Sequence, residues 1–275
     1  MTLSTIRNNP AKQKKVKTKK QKAIAATCAV AFWLLVWHVV SLCVGSELVL
    51  VSPVKVVQTL FTVIFDPDFL KTVWYSAARI LGGFFTALTL GTVLGWVASR
   101  FWVVETLLRP ITAAIKATPV ASFIILVLLW FSGKNLSVII SMLMVFPVIY
   151  MNVLEGIRSA DEKLLEMAQV FRLSVSKKLL YIYLPAVAPF FVSACSVSLG
   201  LCWKSGIAAE VIGTPDGSIG AVFYQTKIFL QTSELLAWTV VVVAVSVAFE
   251  KLFMLLLRLV LKKLKMEDVL NGKRA

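Results

Sequence analysis

Chemically reactive side chains are scarce in this chain. Among its 275 residues there is one histidine, four cysteines and 14 acidic residues, against 29 lysines and arginines. His38 stands alone in an apolar run with no carboxylate beside it, so it offers neither a metal site nor a proton relay. Cys28, Cys43, Cys195 and Cys202 all sit in apolar runs without metal-ligand spacing and read as small packing residues. The acidic residues are scattered, which leaves no paired-carboxylate site for general acid and base work. There is no HExxH, GxSxG or CxxC. Gly133-Lys134-Asn135 lacks both the upstream glycine and the Ser/Thr of a phosphate-binding loop. The sequence therefore presents no catalytic residues, no metal ligands and no bound cofactor.

What it has in abundance is apolar surface: 59% of residues are hydrophobic and 16% charged. Apolar runs of about 18 residues or more are long enough to cross ~30 Å of hydrocarbon. Five stretches qualify or come close: Ala23–Ser46, Ile80–Ser99, Ala117–Gly133, Leu136–Leu154 and Ala186–Trp203. A sixth, Leu235–Phe249, lengthens to Leu257 if Glu250 and Lys251 face protein or snorkel. The fold class expected is an all-α integral membrane protein with six transmembrane helices. Ala23–Ser46 is too long for a signal-peptide core and lacks a convincing cleavage site, so it reads as a retained first span.

The net charge of +15 would suit nucleic acid, but its distribution points to a bilayer. Eight Lys/Arg crowd Arg7–Lys22, three lie in Arg100–Lys116, five in Arg158–Lys178 and six in Arg258–Arg274. The alternate segments hold only Lys55, Lys71, Lys134, Lys204 and Lys227. This alternation follows the positive-inside rule and predicts cytoplasmic N and C termini. The expected organisation is a basic tail over 1–22 lying on anionic lipid, a membrane domain over 23–260 and a second basic tail over 261–275. A charged cytoplasmic loop over about 158–184 interrupts the membrane domain.

Local signals refine the picture. Ser52-Pro53 is a helix start, with Ser as N-cap and Pro at N1. Val54, Val57, Phe61 and Ile64 then share one face, as in a short helix at the membrane surface that ends near Asp66-Pro67-Asp68. Gly83, Ala87, Gly91 and Gly95 recur every four residues, a small-residue stripe that lets another helix approach closely. Pro119 is expected to kink the first turns of the third span. Trp203-Lys204 through Glu210 is too apolar for a plain loop and too charged for a lipid face. Lys204 and Glu210, six residues apart, fall far apart around one helix, so each needs a partner from elsewhere. The expectation is that Lys204, Glu210, Arg79 and Trp203 belong to an internal route, Lys204 favouring an anionic group and Glu210 latching its outer part.

Several motifs together resemble one family. Ser76-Ala77-Ala78-Arg79-Ile80-Leu81-Gly82-Gly83-Phe84 is similar to "SLxRxxxGF", and Pro119 stands eleven residues before Trp130-Phe131. Phe146-Pro147 … Asn152 … Gly156-Ile157-Arg158 … Asp161 is similar to "FPxxxNxxxGxRxxD", with one residue more between Pro147 and Asn152. Trp203-Lys204 … Ala208-Ala209-Glu210 is similar to "WKxxVAAE". Between the last two, Glu166-Met167-Ala168 … Ile182-Tyr183-Leu184-Pro185 has the spacing of the "EAA" cytoplasmic loop. The whole resembles permease subunits of the nitrate, sulfonate, taurine and bicarbonate group of ABC importers, which also includes thiamine-precursor transporters.

That resemblance implies a type I ABC-importer permease fold in a prokaryotic inner or plasma membrane. It implies a cytoplasmic ABC ATPase carrying ATP and Mg, an extracellular substrate-binding protein and a second permease copy, as a homodimer, and no nucleic acid. The substrate would be a sulfonate- or nitrate-like anion or a thiamine-precursor-like nutrient. Glu166 would supply charge at the ATPase contact and Ala168 a close approach, while Leu184 and Pro185 set the start of the fifth span. Arg172 stands where the loop motif has glycine, so its bend is expected to shift; Met167, Ser132 and Ile125 are further departures. Two other classes share the hydropathy. A secondary transporter would show internal repeats, and none is convincing here; a membrane scaffold would need neither the loop nor Lys204–Glu210.

Overall fold

A computed structural model describes residues 19–264; the parts of the basic tails at 1–18 and 265–275 lie outside the described residues. All regular structure among the described residues is helical. The chain divides into two units, Met1–Lys55 and Val56–Ala275.

The first unit contains α1, Lys19–Val44, which ends before Gly45 in a left-handed conformation (φ +63°). Phe32, Trp33, Leu35 and Leu42 are exposed along it, the surface expected of a helix solvated by lipid. After a short turn the Ser52 hydroxyl accepts from the Lys55 amide at 3.4 Å, the N-cap bond that its position predicted. This starts α2, Pro53–Ile64. Val54, Val57, Phe61 and Ile64 are exposed on α2, while Leu60 and Val63 join the core of the second unit.

Three long helices form that core: α3 (Phe69–Arg100), α6 (Gly133–Arg158) and α9 (Leu184–Gly213). The small-residue stripe of α3 faces α6. Gly91 meets Ile149 and Tyr150, and Gly95 meets Tyr150 and Val153; a Cβ at Gly83 would strike the Val138 carbonyl. Because the paired numbers rise together, α3 and α6 run parallel. On α9, Gly206 meets Ile80 and Ser141, while Gly156 of α6 meets Val187; α9 is therefore antiparallel to both. In lipid no hydrophobic driving force holds helices together, so close backbone approach and dispersion do. Ile80, Phe84, Ile149, Leu199 and Trp203 fill the spaces between. Ala237, Trp238 and Val241 of α11, Thr232–Lys263, pack on this core, with the Phe69 and Trp238 rings 5.5 Å apart.

The third crossing bends at Pro119, as expected, but it also includes the helix before the proline, outside the span expected over Ala117–Gly133. It is a pair of helices, α4 (Trp102–Ala117) and α5 (Val120–Trp130), bent by 111°. The cause is local. Thr118 precedes Pro119 and takes extended dihedrals (φ −83°, ψ 133°), because a following proline disfavours the helical region. Since α3 and α6 run parallel, the pair between them must carry the chain back, and it completes six crossings with the five long apolar helices. Other boundaries move outward: the second span begins at Phe69, the fifth continues to Gly213 and the sixth runs from Thr232 to Lys263.

Candidate functional site

The loop after α6 is built from two short helices, α7 (Glu162–Val170) and α8 (Val175–Lys178). Asp161 caps α7 by accepting from the Lys163 amide at 2.9 Å. Ala168 is 0% exposed and packs near Ala160, Ile182 and Leu165. Glu166, Met167, Val170 and Phe171 are exposed. A π-helical turn, Leu179–Tyr183, joins α8 to α9 without a break, and Leu184 and Pro185 are half-buried in the first turn of α9. The loop is thereby continuous with a membrane-spanning helix. The ion pair of Arg158 with Glu105 ties α6 to α4 at the same end.

The bend between α7 and α8 is made at a non-glycine residue, Arg172. Arg172 adopts φ +47°, the left-handed conformation a glycine would take. The Leu173 amide donates to the Ala168 carbonyl at 2.9 Å and the Arg172 amide to Gln169 at 3.0 Å. This is a Schellman cap, and the satisfied carbonyls offset the Cβ strain of a non-glycine residue. That strain is ~1–2 kcal/mol, of which glycine would return ~0.5–1 kcal/mol as unfolded-chain entropy. Arg172→Gly is therefore expected to slow amide exchange at Leu173 by about twofold to fivefold, read by hydrogen–deuterium exchange. Faster exchange in the variant would contradict this account.

At the opposite end of the helices lies a buried polar clasp. Glu210 of α9 is 0% exposed. Its Oε2 accepts from the Ser76 hydroxyl of α3 at 2.6 Å and from the Gly220 amide at 3.4 Å. Ser76 Oγ in turn accepts from the Ile219 amide at 2.9 Å. Ile219 and Gly220 open α10, Ile219–Ile228, whose N-cap Ser218 accepts from Ala221 at 3.0 Å. A helix N-terminus leaves amides without intrahelical partners and carries partial positive charge. Glu210 and Ser76 answer both, fastening α10 to α3 and α9. Gly220 is required here, since a Cβ would collide with the backbone of Glu210.

Arg79 lies one turn from Ser76. It donates to the Tyr75 hydroxyl at 2.7 Å and to Asn135 Oδ1 at 3.2 Å, and its guanidinium sits 4.7 Å from the Tyr75 ring centre. Glu210 Oε1 and the Ser137 hydroxyl are both buried without a hydrogen-bond partner. Of the four residues expected on the internal route, the structure brings Glu210 and Arg79 together. Trp203 is buried in the core, its Nε1 unpartnered. Lys204 is exposed on α9, away from Glu210 and without an ion pair among the described residues. Sequence reasoning missed Ser76, Ser137, Asn135 and the start of α10. Ser218 before an apolar run was the available signal for that helix.

Six membrane crossings around a buried polar clasp, with a protruding two-helix loop continuous with a spanning helix, define a multi-pass membrane transport subunit. Residues 87–266 match the family described as binding-protein-dependent transport system inner membrane component. The chain belongs to this family of ABC-importer permeases. It is 29% identical over 232 residues to the putative aliphatic sulfonates transport permease protein SsuC of Bacillus subtilis (strain 168), covering 83% of each chain. It is 26% identical to the taurine transport system permease protein TauC of Escherichia coli (strain K12), over 78% of this chain and 80% of TauC. With the nitrate import permease protein NrtB of Synechocystis it shares 25% identity, over 74% of this chain and 76% of NrtB.

Proposed function

We propose that this permease carries a small anion, of the sulfonate or nitrate kind, through a path between two copies of the chain. An extracellular binding protein delivers the substrate, and a separate cytoplasmic ATPase subunit holding ATP and Mg drives the cycle. The observation that carries this reading is the α7–α8 loop: an exposed face of Glu166, Met167, Val170 and Phe171 on a base fixed by buried Ala168. A partner that grips this face moves α9 as a rigid body. The crowding of Lys/Arg at the loop end supports a cytoplasmic position for that end and for both termini. Lys204, a cation on the open side of α9, supports an anionic substrate.

The test is Glu166→Lys, which reverses the charge of the gripping face while leaving Ala168 and the cap of α7 in place. Whole-cell uptake, normalised to membrane expression, is expected to fall at least about tenfold, a loss of ~1.4 kcal/mol of coupling. Recovery of the ATPase with the purified permease falls with it. Undiminished association together with undiminished uptake would remove this face from the mechanism.

A further inference from the structure

A cavity of about 350 Å³ opens at the loop end, between the last turns of α3 and the inner side of the α7–α8 loop. This is the side turned away from the face carrying Val170 and Phe171. Its volume lies in the range of small-molecule pockets, about 300–1,000 Å³. Two cations line it, Arg100 at the end of α3 and Lys178 at the end of α8. Ser99 and Gln169 add polar groups, and the Trp96 and Tyr183 rings, edge to face at 5.7 Å, form an apolar wall. The loop's acidic residues Asp161, Glu162 and Glu166 do not line it. Neither Arg100 nor Lys178 has an ion pair among the described residues. Basic side chains at helix C-termini complement the dipole, but two of them converging on a concave, acid-free site leave positive charge uncompensated.

We infer that this cavity is a binding site for a phosphate group, that of an anionic phospholipid, which bridges α3 to the coupling loop. A phosphate diester offers oxygens to Arg100 and Lys178, and its glycerol stem lies against Trp96 and Tyr183. Aromatic and basic residues at the ends of spanning helices sit at headgroup depth, so the lipid reaches the site without leaving its leaflet. Arg100 belongs to a rigid membrane helix and Lys178 to the loop that α9 follows. An occupant holding both would stiffen the loop and make its motion depend on the anionic lipid around it.

The test uses the full-length chain, with the subunits that co-purify, in a neutral detergent. Short-chain phosphatidylglycerol, short-chain phosphatidylcholine and inorganic phosphate are each titrated while the melting temperature is followed. Phosphatidylglycerol is expected to raise it saturably and phosphatidylcholine to leave it unchanged. R100Q/K178Q is expected to need at least about tenfold more phosphatidylglycerol for half the shift, and the charge-keeping R100K/K178R less than about threefold more. K178Q alone, altering only the end of α8, serves if the double variant does not fold; it is expected to need about threefold more. An equal shift with inorganic phosphate, lost in the neutral variants, supports the phosphate site and identifies a free anion as its occupant. No shift with any anion, or the same half-point in the wild type and the neutral variants, overturns the assignment.

Discussion

Alanine at position 83 is expected to lower the melting temperature of the protein, and alanine at position 82 to leave it unchanged or raise it. The two glycines are neighbours on α3, but only Gly83 faces α6. A Cβ at Gly83 would collide with the Val138 carbonyl and crowd Ser141 on α6, whereas nothing lies within 4 Å of one at Gly82. The obstacle at Gly83 is backbone, which cannot rotate aside, so α3 and α6 must separate along a stripe that includes Ala87 and Gly91. Overpacking of this kind costs ~1–3 kcal/mol, and here it also forfeits the dispersion contacts that stand in for a hydrophobic driving force. Gly82→Ala exchanges a flexible residue for a better helix former and gains up to ~1 kcal/mol. Melting of the two purified variants beside the wild type measures the difference. Equal melting temperatures for both variants would mean that the helices are not packed at this distance.

Glu210→Ala is expected to reduce uptake to less than about a tenth of the wild type while also lowering the melting temperature. The substitution strands the Ser76 hydroxyl and the Gly220 amide in a buried site, each at ~1–3 kcal/mol. It also withdraws negative charge from the N-terminus of α10. Ser76 still accepts from the Ile219 amide, but α9 loses its bonds to both α3 and α10. Glu210→Gln separates the two contributions, because its amide oxygen still accepts from Ser76 but carries no charge. The Gln variant is expected to keep most of the thermal stability; its uptake then reports what the charge beside Arg79 does. Ser76→Ala, tested alongside, should move stability in the same direction as Glu210→Ala. If Glu210→Ala melts and transports like the wild type, the clasp holds nothing together.

Features encoded by neighbours along the chain are legible in the sequence. The apolar runs mark the crossings because a bilayer demands a minimum length of apolar helix. The repeat at Gly83, Ala87, Gly91 and Gly95 marks a contact face because four residues return a helix nearly to the same side. Ser52-Pro53 marks the start of α2 through the bond its hydroxyl makes three residues on. The charged interval around Glu166 stands out for the same reason: hydrocarbon excludes it.

Partnerships between distant residues are not legible there. Helical geometry keeps Lys204 and Glu210 from pairing, but nothing in the sequence indicates that Glu210 meets Ser76, 134 residues away, or that both meet the first amides of α10. The identity of Arg172 does not reveal that its own amide will reach the Gln169 carbonyl and the Leu173 amide that of Ala168, closing a Schellman cap around a non-glycine residue. The third crossing escapes a hydropathy reading because hydropathy sums residues without regard to direction, and the extended Thr118 before Pro119 turns the chain by 111° within an otherwise apolar stretch. By itself the sequence determined which segments leave water, which faces are small and which end is basic, because these follow from local composition and helical period. Only the tertiary structure decided what each buried charge touches, because that depends on which helices lie side by side; it also gave the size of the bend whose place Pro119 had marked.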